Sequence, residues 1–210
     1  MGKMKINHYV VGPVQTNCYL IINTETNEAL FVDPGASAKA LSDKAKEEGV
    51  KVVAILLTHG HFDHATGAEE LAKLCGDVPI YIYEKEKATL EDPELNASWM
   101  MGQTTTFKAT DFLKDQQEID LAGFHIRVLF TPGHTPGGCC YYFPYDDVVF
   151  SGDTLFACSV GRTDFKGGSM SDLVNGIKEK LMVLPDRTTV YPGHNDVTTI
   201  ENERMYNPYL

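Results

Sequence analysis

Seven histidine and aspartate side chains follow short apolar runs at four places in the sequence, a pattern typical of a metal site. They are His59, His61, Asp63, His64, His134, Asp153 and His194. The first four form His-x-His-x-Asp-His directly after the apolar run 51–57, two others end Pro-Gly-His turns, and one ends a Ser-Gly-Asp turn. Strand ends meet at one edge of an open α/β sheet, so we expect these side chains to lie close together.

The type and number of these donors favour a pair of divalent transition-metal ions. Imidazole nitrogen and carboxylate oxygen bind zinc, iron and manganese, and no cysteine of the kind common in structural zinc sites lies nearby. Five histidines and two aspartates exceed the ligand number of one tetrahedral ion. Two ions bridged by a carboxylate would leave room for a hydroxide, so we predict a hydrolytic site that holds zinc, with iron or manganese as alternatives.

The spacing of the first three histidines does not fit one face of a helix. At about 100° per residue, His61 and His64 would lie about 200° and about 140° from His59 around a helix axis. In an extended loop His59 and His61 point the same way, and Gly60 permits a tight backbone there. We therefore predict that the whole cluster is a loop at a strand end, in which a turn brings Asp63 and His64 round.

The elements that must position these residues are strands with interspersed helices. Apolar and alternating runs predict strands at 4–10, 16–23, 28–33, 51–57, 80–83, 124–130, 138–143, 147–151 and 188–191. Helices are predicted between an N-cap at Ser37 and a C′ residue at Gly49, at 67–75, and at 171–184. Residues 84–118 are less regular, and the stretch 91–107 with Trp99 either anchors a long loop to the core or forms a lid.

Similar strand–turn–ligand units recur in both halves of the chain. This pattern predicts an α/β sandwich with sheets inside and helices outside, in one domain over residues 1–210. Cys139 and Cys140 are adjacent in a predicted strand, so their side chains should point to opposite faces. Asp33 ends the third strand, where it either forms a turn or hydrogen bonds to a ligand histidine, and we expect the second role.

Composition argues against several classes of partner and location. The net charge is −11 and no Lys/Arg cluster is present, so neither nucleic acid nor an anionic membrane surface is an expected partner. We also predict no transmembrane helix, because no run of 18 apolar residues occurs. We predict no signal peptide, because strand-like sequence rather than an apolar h-region follows residues 1–5. Five cysteines without a Cys-x-x-Cys motif do not indicate a disulfide framework, and we expect a cytoplasmic protein.

With these residues in view, the sequence resembles the metallo-β-lactamase superfamily over nearly its full length. The matching motifs are Thr58-His59-Gly60-His61-Phe62-Asp63-His64, Thr131-Pro132-Gly133-His134-Thr135, Gly152-Asp153 and Pro192-Gly193-His194. The resemblance implies an αββα four-layer sandwich. It implies a first metal held by His59, His61 and His134. It implies a second metal held by Asp63, His64 and His194, with Asp153 as the bridge.

Within the superfamily the sequence is most similar to hydroxyacylglutathione hydrolases of the glyoxalase II group, particularly short single-domain bacterial members. The similar stretches are 152–156, 161–165 and 207–210. Full-length glyoxalase II has an added C-terminal helical domain that helps to bind glutathione, and we expect this chain to lack it.

This likeness implies hydrolysis of an S-2-hydroxyacylglutathione or a related small thioester. A metal-bridging hydroxide would attack the thioester carbonyl, and Asp63 is the candidate catalytic residue that orients it. Arg162 and Lys166 are candidate contacts for a substrate carboxylate, because each carries a fixed or nearly fixed charge.

Three alternatives stay open at the level of sequence. The stretch 161–165 also resembles persulfide dioxygenases, which use a single iron held by the equivalents of His59, His134 and Asp153. The substrate could be another ester or a lactone. A non-enzymatic metal protein is the third alternative, and the sequence does not predict an oligomeric state.

Overall fold

The first half of the chain forms a six-stranded mixed sheet. The structure is a computed structural model that describes residues 4–102 and 104–210. The strands, in their order across the sheet, are β1 (Met4–Val11), β2 (Thr16–Asn23), β3 (Glu28–Val32), β4 (Lys51–Leu56), β5 (Ile80–Tyr83) and β6 (Asp111–Leu113). β2 pairs antiparallel with both β1 and β3, whereas the successive pairs from β3 through β4 and β5 to β6 are parallel. The parallel part therefore sends the ends of β3, β4 and β5 to the same edge.

Helices connect the parallel strands of this first sheet. Helix α1 (Ala38–Glu47) lies between β3 and β4 in the chain. Helices α2 (Phe62–Ala65) and α3 (Ala68–Leu74) follow β4, and α4 (Lys87–Glu91) follows β5. Crossovers of this kind are what parallel neighbours require.

The second half forms another six-stranded sheet, with the order β14-β13-β10-β9-β8-β7. Its strands are β7 (Glu118–Leu121), β8 (Phe124–Phe130), β9 (Cys139–Phe143), β10 (Val148–Gly152), β13 (Thr189–Pro192) and β14 (Thr198–Thr199). A small hairpin of β11 (Leu155–Phe156) and β12 (Ser159–Val160) precedes helix α5 (Met170–Gly176), which a π-helical turn extends over Ile177–Leu181. Helix α6 (Ile200–Tyr206) ends the fold.

Three apolar clusters show how these elements are layered. Side chains from both sheets, among them Leu30 and Phe143, pack between the sheets. A second cluster packs the other face of the first sheet against α1 and α3, and a third packs the second sheet against α5. β2 is buried along its whole length because successive side chains, such as Leu20 and Ile21, enter clusters on opposite faces of the sheet. The predicted αββα four-layer sandwich is confirmed.

The strand prediction around the adjacent cysteines is also confirmed. Cys139 belongs to the cluster between the sheets, whereas Cys140 belongs to the cluster beneath α5. Successive side chains of a strand point to opposite faces, so the two thiols are separated by the sheet itself.

The regular elements of residues 84–118 were not predicted individually. This stretch contains a 3₁₀ turn at Glu84–Glu86, helix α4, a second 3₁₀ turn at Ser98–Met101, and strands β6 and the start of β7. Each is five residues or shorter, which is too short for hydrophobic periodicity to show. Gln103, within the stretch 91–107, lies outside the described residues. None of the described helices has both the length and the apolar character needed to cross a bilayer.

The cluster between the sheets makes a quantitative prediction. Leu30 is fully buried there. We expect Leu30→Ala to lower the free energy of unfolding by about 2–5 kcal/mol, because it leaves a cavity in a tightly packed core. Denaturant unfolding at a fixed metal concentration measures this. The matched control is Val183→Ala at a site 71% exposed, where we expect a change below about 0.5 kcal/mol. A loss under about 1 kcal/mol for Leu30→Ala would contradict this packing.

Candidate metal centre

Three histidines converge from two loops that belong to different sheets. His59 and His61 follow β4, and His134 follows β8. Their ligand nitrogens lie within 4.8 Å of one another, and all three side chains are buried. The distance between His134 Nε2 and His61 Nδ1 is 2.9 Å. His134 Nδ1 lies 2.8 Å from the carbonyl oxygen of Arg162, so this bond turns Nε2 towards the other two imidazoles.

A second group of donors lies beside the first. Asp63 and His64 come from α2, and His194 comes from the turn after β13. Asp63 Oδ2 is 3.2 Å from His194 Nε2 and 3.5 Å from His64 Nε2. The Thr16 hydroxyl donates a hydrogen bond of 3.0 Å to the same oxygen. Like the first group, the second group therefore takes its donors from both sheets.

The Asp153 carboxylate lies between the two groups. Its Oδ1 is 3.4 Å from His64 Nε2 in the second group. Its Oδ2 is 3.5 Å from His134 Nε2 and 3.6 Å from His194 Nε2. One carboxylate therefore faces both groups of nitrogens, which is the position of a bridging ligand in a two-metal site.

The prediction that residues 59–64 form a loop throughout is wrong for the second half. Phe62–Ala65 is a single helical turn, with the amides of His64 and Ala65 donating to the His61 carbonyl at 3.1 and 3.0 Å. One continuous helix does not fit the spacing of these histidines, but a single helical turn after an extended pair does. This turn directs Asp63 and His64 to the second group, while His59 and His61 remain outside the helix.

Asp33 supports the centre from behind, in contact with a histidine as expected. Its Oδ1 accepts the amide of Thr58 at 2.8 Å, and its Oδ2 accepts the Thr58 hydroxyl at 2.7 Å and lies 3.0 Å from His64 Nδ1. This leaves His64 Nε2 facing the donor cluster. Burial lowers the pKa of His64, but Asp63, Asp153 and Asp33 outweigh burial and raise it. Binding of an ion at His64 would therefore release a proton.

Most of the other donors are in the protonation state that a metal requires. Burial lowers the pKa of His59, and His64 lowers it further. Burial also lowers the pKa of His61, with a smaller contribution from His134. Burial raises the pKa of Asp153, but the neighbouring His64 outweighs burial and brings it far below its usual range. The two imidazoles are neutral and the carboxylate is ionised at neutral pH, as metal ligands must be.

Unpaired polar atoms provide the test of whether these residues fit metal ions. Among the described residues, His59 Nε2, His64 Nε2 and Asp153 Oδ1 are buried without a hydrogen-bond partner. Leaving such atoms unpaired costs about 1–3 kcal/mol each. All three point into the donor cluster, and nitrogen and carboxylate oxygen are ligands of divalent transition metals. The donor set therefore fits divalent cations.

A cavity of about 390 Å³ opens onto the donor cluster. Five of the donors line it, and the rest of its wall is largely apolar. The apolar lining consists of Val14, Phe62, Ala97, Met100, Phe156, Val160 and Phe165. Ala97 and Met100 belong to the stretch 91–107, which therefore borders the centre at these two residues. A ligand in this cavity would lie between apolar side chains and the metal ligands.

The structure separates the two cationic residues that were predicted to contact substrate. Arg162 lines the cavity, where its guanidinium bonds to both oxygens of Asp164 at 2.7 Å and lies 3.9 Å over the Phe165 ring. Lys166 lies in a neighbouring cavity, 2.5 Å from Glu94 Oε2. Phe165 lines both cavities. Only Arg162 is therefore placed beside the donor cluster.

Sequence reasoning missed the residue that anchors the His194 turn. The Asn17 amide donates to the Gly193 carbonyl at 2.7 Å. Its side chain donates to the carbonyls of Pro192 and Asn195 at 3.1 and 2.9 Å. A usable signal was present, since Thr16 and Asn17 are polar residues directly before the largely apolar run 18–22.

The fold and the donor cluster together define a superfamily. The chain belongs to the metallo-β-lactamase superfamily, whose family model matches residues 11–194. It is 41% identical to the probable metallo-hydrolase YqgX of Bacillus subtilis, over 99% of this chain and 98% of that protein. It is 35% identical to hydroxyacylglutathione hydrolase GloC of Haemophilus influenzae, over 99% of this chain and 98% of that protein. The protein is a metal-dependent hydrolase of this superfamily.

Solved structures show the same relationship. The BLEG-1 B3 metallo-β-lactamase superposes with a TM-score of 0.93 at 40% identity, covering 98% of this chain and 99% of that one. TTHA1623, in a di-iron-bound form, superposes with a TM-score of 0.84 at 34% identity, covering 97% of this chain and all of that one. The donor cluster thus lies in a fold that binds divalent metal.

Close backbone approach at Gly193 leads to a prediction about metal binding. A Cβ there would lie 2.2 Å from Asp153 Oδ1 and 2.6 Å from His64 Cε1. Gly193→Ala must displace both side chains, so we expect metal affinity to fall by at least about 10-fold. Competition with a chromophoric chelator measures this affinity.

The control for Gly193→Ala is Gly49→Ala. A Cβ on Gly49 meets nothing within 4 Å, although its φ of +69° makes alanine strained there. We expect Gly49→Ala to cost about 1–2 kcal/mol of stability and to leave metal affinity unchanged. Equal metal affinities of the two variants would show that Gly193 does not set the geometry of the cluster.

Proposed function

We propose that the protein is a hydrolase with two divalent metal ions that cleaves a thioester of the S-2-hydroxyacylglutathione type. The observation that carries this proposal is the position of Asp153, whose oxygens face both groups of donors. We assign the first ion to His59, His61 and His134, and the second to Asp63, His64 and His194, with Asp153 shared. Zinc suits these donors, and the di-iron form of TTHA1623 supports iron as an alternative.

The residues of the donor cluster would bind the two ions and orient the attacking water. When bound, two divalent ions supply Lewis acidity for a carbonyl oxygen and a solvent nucleophile at neutral pH. Burial raises the pKa of Asp63, but His64 and His194 outweigh burial and lower it, so the carboxylate is ionised. We propose that Asp63, held by the Thr16 hydroxyl, accepts a hydrogen bond from the attacking water and orients it.

The cavity supports a small thioester as the substrate. Its apolar wall suits an acyl chain and a thioester sulfur, and the metal ligands lie at one side of it. Arg162 is placed to contact a carboxylate of the thiol portion, although Asp164 already neutralises part of its charge. The similarity to GloC supports the glutathione thioester in particular. We further propose that the enzyme acts in the cytoplasm on this small molecule, without a nucleic-acid or membrane partner.

A second substrate class has its own support. BLEG-1 is named a B3 metallo-β-lactamase and shares 40% identity with this chain over nearly the whole of both chains. A β-lactam presents a strained amide carbonyl to the same kind of two-metal site. The enzyme assay should therefore compare a β-lactam with a thioester directly.

Metal content and substrate preference test the proposed function together. We expect the purified protein to hold about two divalent ions per chain. It should release thiol from S-lactoylglutathione with a kcat/KM at least about 100-fold above that for a chromogenic cephalosporin, and a chelator should abolish the activity. One iron per chain, with oxygen consumed in the presence of glutathione persulfide, would instead establish the dioxygenase alternative.

The position of Arg162 predicts a binding effect without a chemical one. We expect Arg162→Ala to raise KM for S-lactoylglutathione by about 3- to 10-fold and to change kcat by less than about 2-fold, because the guanidinium contacts substrate remote from the reacting carbonyl. Steady-state kinetics measure both constants. Arg127→Ala is the matched control, since Arg127 forms a surface pair with Glu118 across β7 and β8. A fall in kcat alone would contradict a role in substrate binding.

A further inference from the structure

Glu86 is a fully buried acid that the proposed mechanism does not use. It lies in the 3₁₀ turn after β5, behind the first group of histidines. Its Oε2 accepts the amide of Gly60 at 2.6 Å, and its Oε1 accepts the amide of Gly137, also at 2.6 Å. The Thr89 hydroxyl donates to Oε1 at 3.2 Å. One carboxylate therefore joins two separate loops.

These two loops carry all three histidines of the first group. Gly60 lies between His59 and His61, and Gly137 lies three residues after His134. The loops come from different sheets, so their relative position is not determined by hydrogen bonding within either sheet. A rigid carboxylate that binds an amide of each loop restricts that relative position.

The contact is close on both sides. A Cβ on Gly137 would lie 2.5 Å from the backbone nitrogen of Glu86, so only glycine allows this approach. A Cβ on Gly60 would lie 3.1 Å from Glu86 Oε2 and equally close to the Thr89 side chain. Because both positions are glycine, the turn at Glu86 packs directly against both ligand loops.

Burying the carboxyl group of Glu86 costs free energy, which indicates that its contacts have a role beyond stability. Burial raises the pKa of Glu86, and hydrogen bonds from its neighbours oppose this shift. Within the described parts of the chain, its hydrogen-bond partners are neutral amides and hydroxyls. A buried acid without a cationic partner loses its hydration for a modest return in stability.

We propose that Glu86 is a positioning residue that holds the two loops in register and so sets the affinity of the first group for its metal ion. This inference rests on the proposed function, in which His59, His61 and His134 bind that ion. Supporting contacts behind metal ligands typically change metal affinity by about 10- to 100-fold. Glu86 acts one step further out, through the backbone of the loops rather than through an imidazole.

Glu86→Gln is the direct test. The substituted amide keeps one acceptor oxygen but turns an NH₂ group towards one of the two backbone amides, so one of the two loops loses its bond. We expect the affinity of the first group for its metal ion to fall by about 10-fold or more. Titration of the metal-free protein with zinc against a chelator measures affinity, and the visible absorption of bound cobalt reports on the ligand geometry.

The chain offers a matched control at Glu203. This acid is also fully buried, and it accepts the Cys158 amide at 2.8 Å, the Thr198 hydroxyl at 2.6 Å and the Asn207 side chain at 2.8 Å. None of these partners belongs to the loops joined by Glu86. Glu203→Gln should therefore lower the free energy of unfolding. Its zinc affinity should stay within about 3-fold of the wild-type value, and its cobalt spectrum should be unshifted.

The outcomes separate this inference from the proposed function. Failure of the wild-type protein to bind zinc would overturn both. Zinc binding by the wild type with equal affinities for Glu86→Gln and Glu203→Gln would overturn the positioning role alone. If Glu86→Gln does not fold, amide exchange in the metal-free wild type decides. Slow exchange at both Gly60 and Gly137 supports the role, and exchange at either glycine as fast as in exposed loops overturns it.

Discussion

The packing of one sheet on the other is the constraint on which the metal centre depends. The first sheet supplies the donors from His59 to His64, and the second supplies the remaining three, so neither sheet holds a complete site. Hydrogen bonds connect the two sheets at the edge where the donors meet. The Tyr141 hydroxyl donates to the Leu57 carbonyl at 2.8 Å, and the Cys139 amide donates to the Thr58 carbonyl at 2.9 Å. The apolar cluster between the sheets therefore stabilises the centre as well as the fold.

The ligand segments after β4, β8 and β13 are also held by buried polar residues. Asp33 orients His64, Asn17 fixes the turn at His194, and Glu86 joins the loops of the first group. Because these residues are buried and bonded to backbone groups, they can hold the loops before an ion binds. Preorganisation of this kind reduces the entropy that metal binding would otherwise cost.

Long apolar elements were predictable and short ones were not. β2 and β4 could be predicted because continuous apolar runs between turn residues are typical of strands covered on both faces. β6 and β14 are two or three residues long and depend on pairing with a neighbour, which a local pattern does not contain. The helical turn α2 was missed for a related reason, since four residues, two of them donors, show no periodicity.

The sequence by itself determined the donor types, their order and the fold class, because each follows from local spacing and hydrophobic pattern. It also pointed to Asp33, which ends a strand next to the cluster. The resemblance implied how six donors divide into two groups around Asp153, but tertiary structure alone brings these side chains together and places Lys166 in a different cavity from Arg162. It also decided the role of Glu86, since that acid lies 26 residues from Gly60 and 51 from Gly137. Contacts between distant segments arise only when the sheets pack, so no local pattern encodes them.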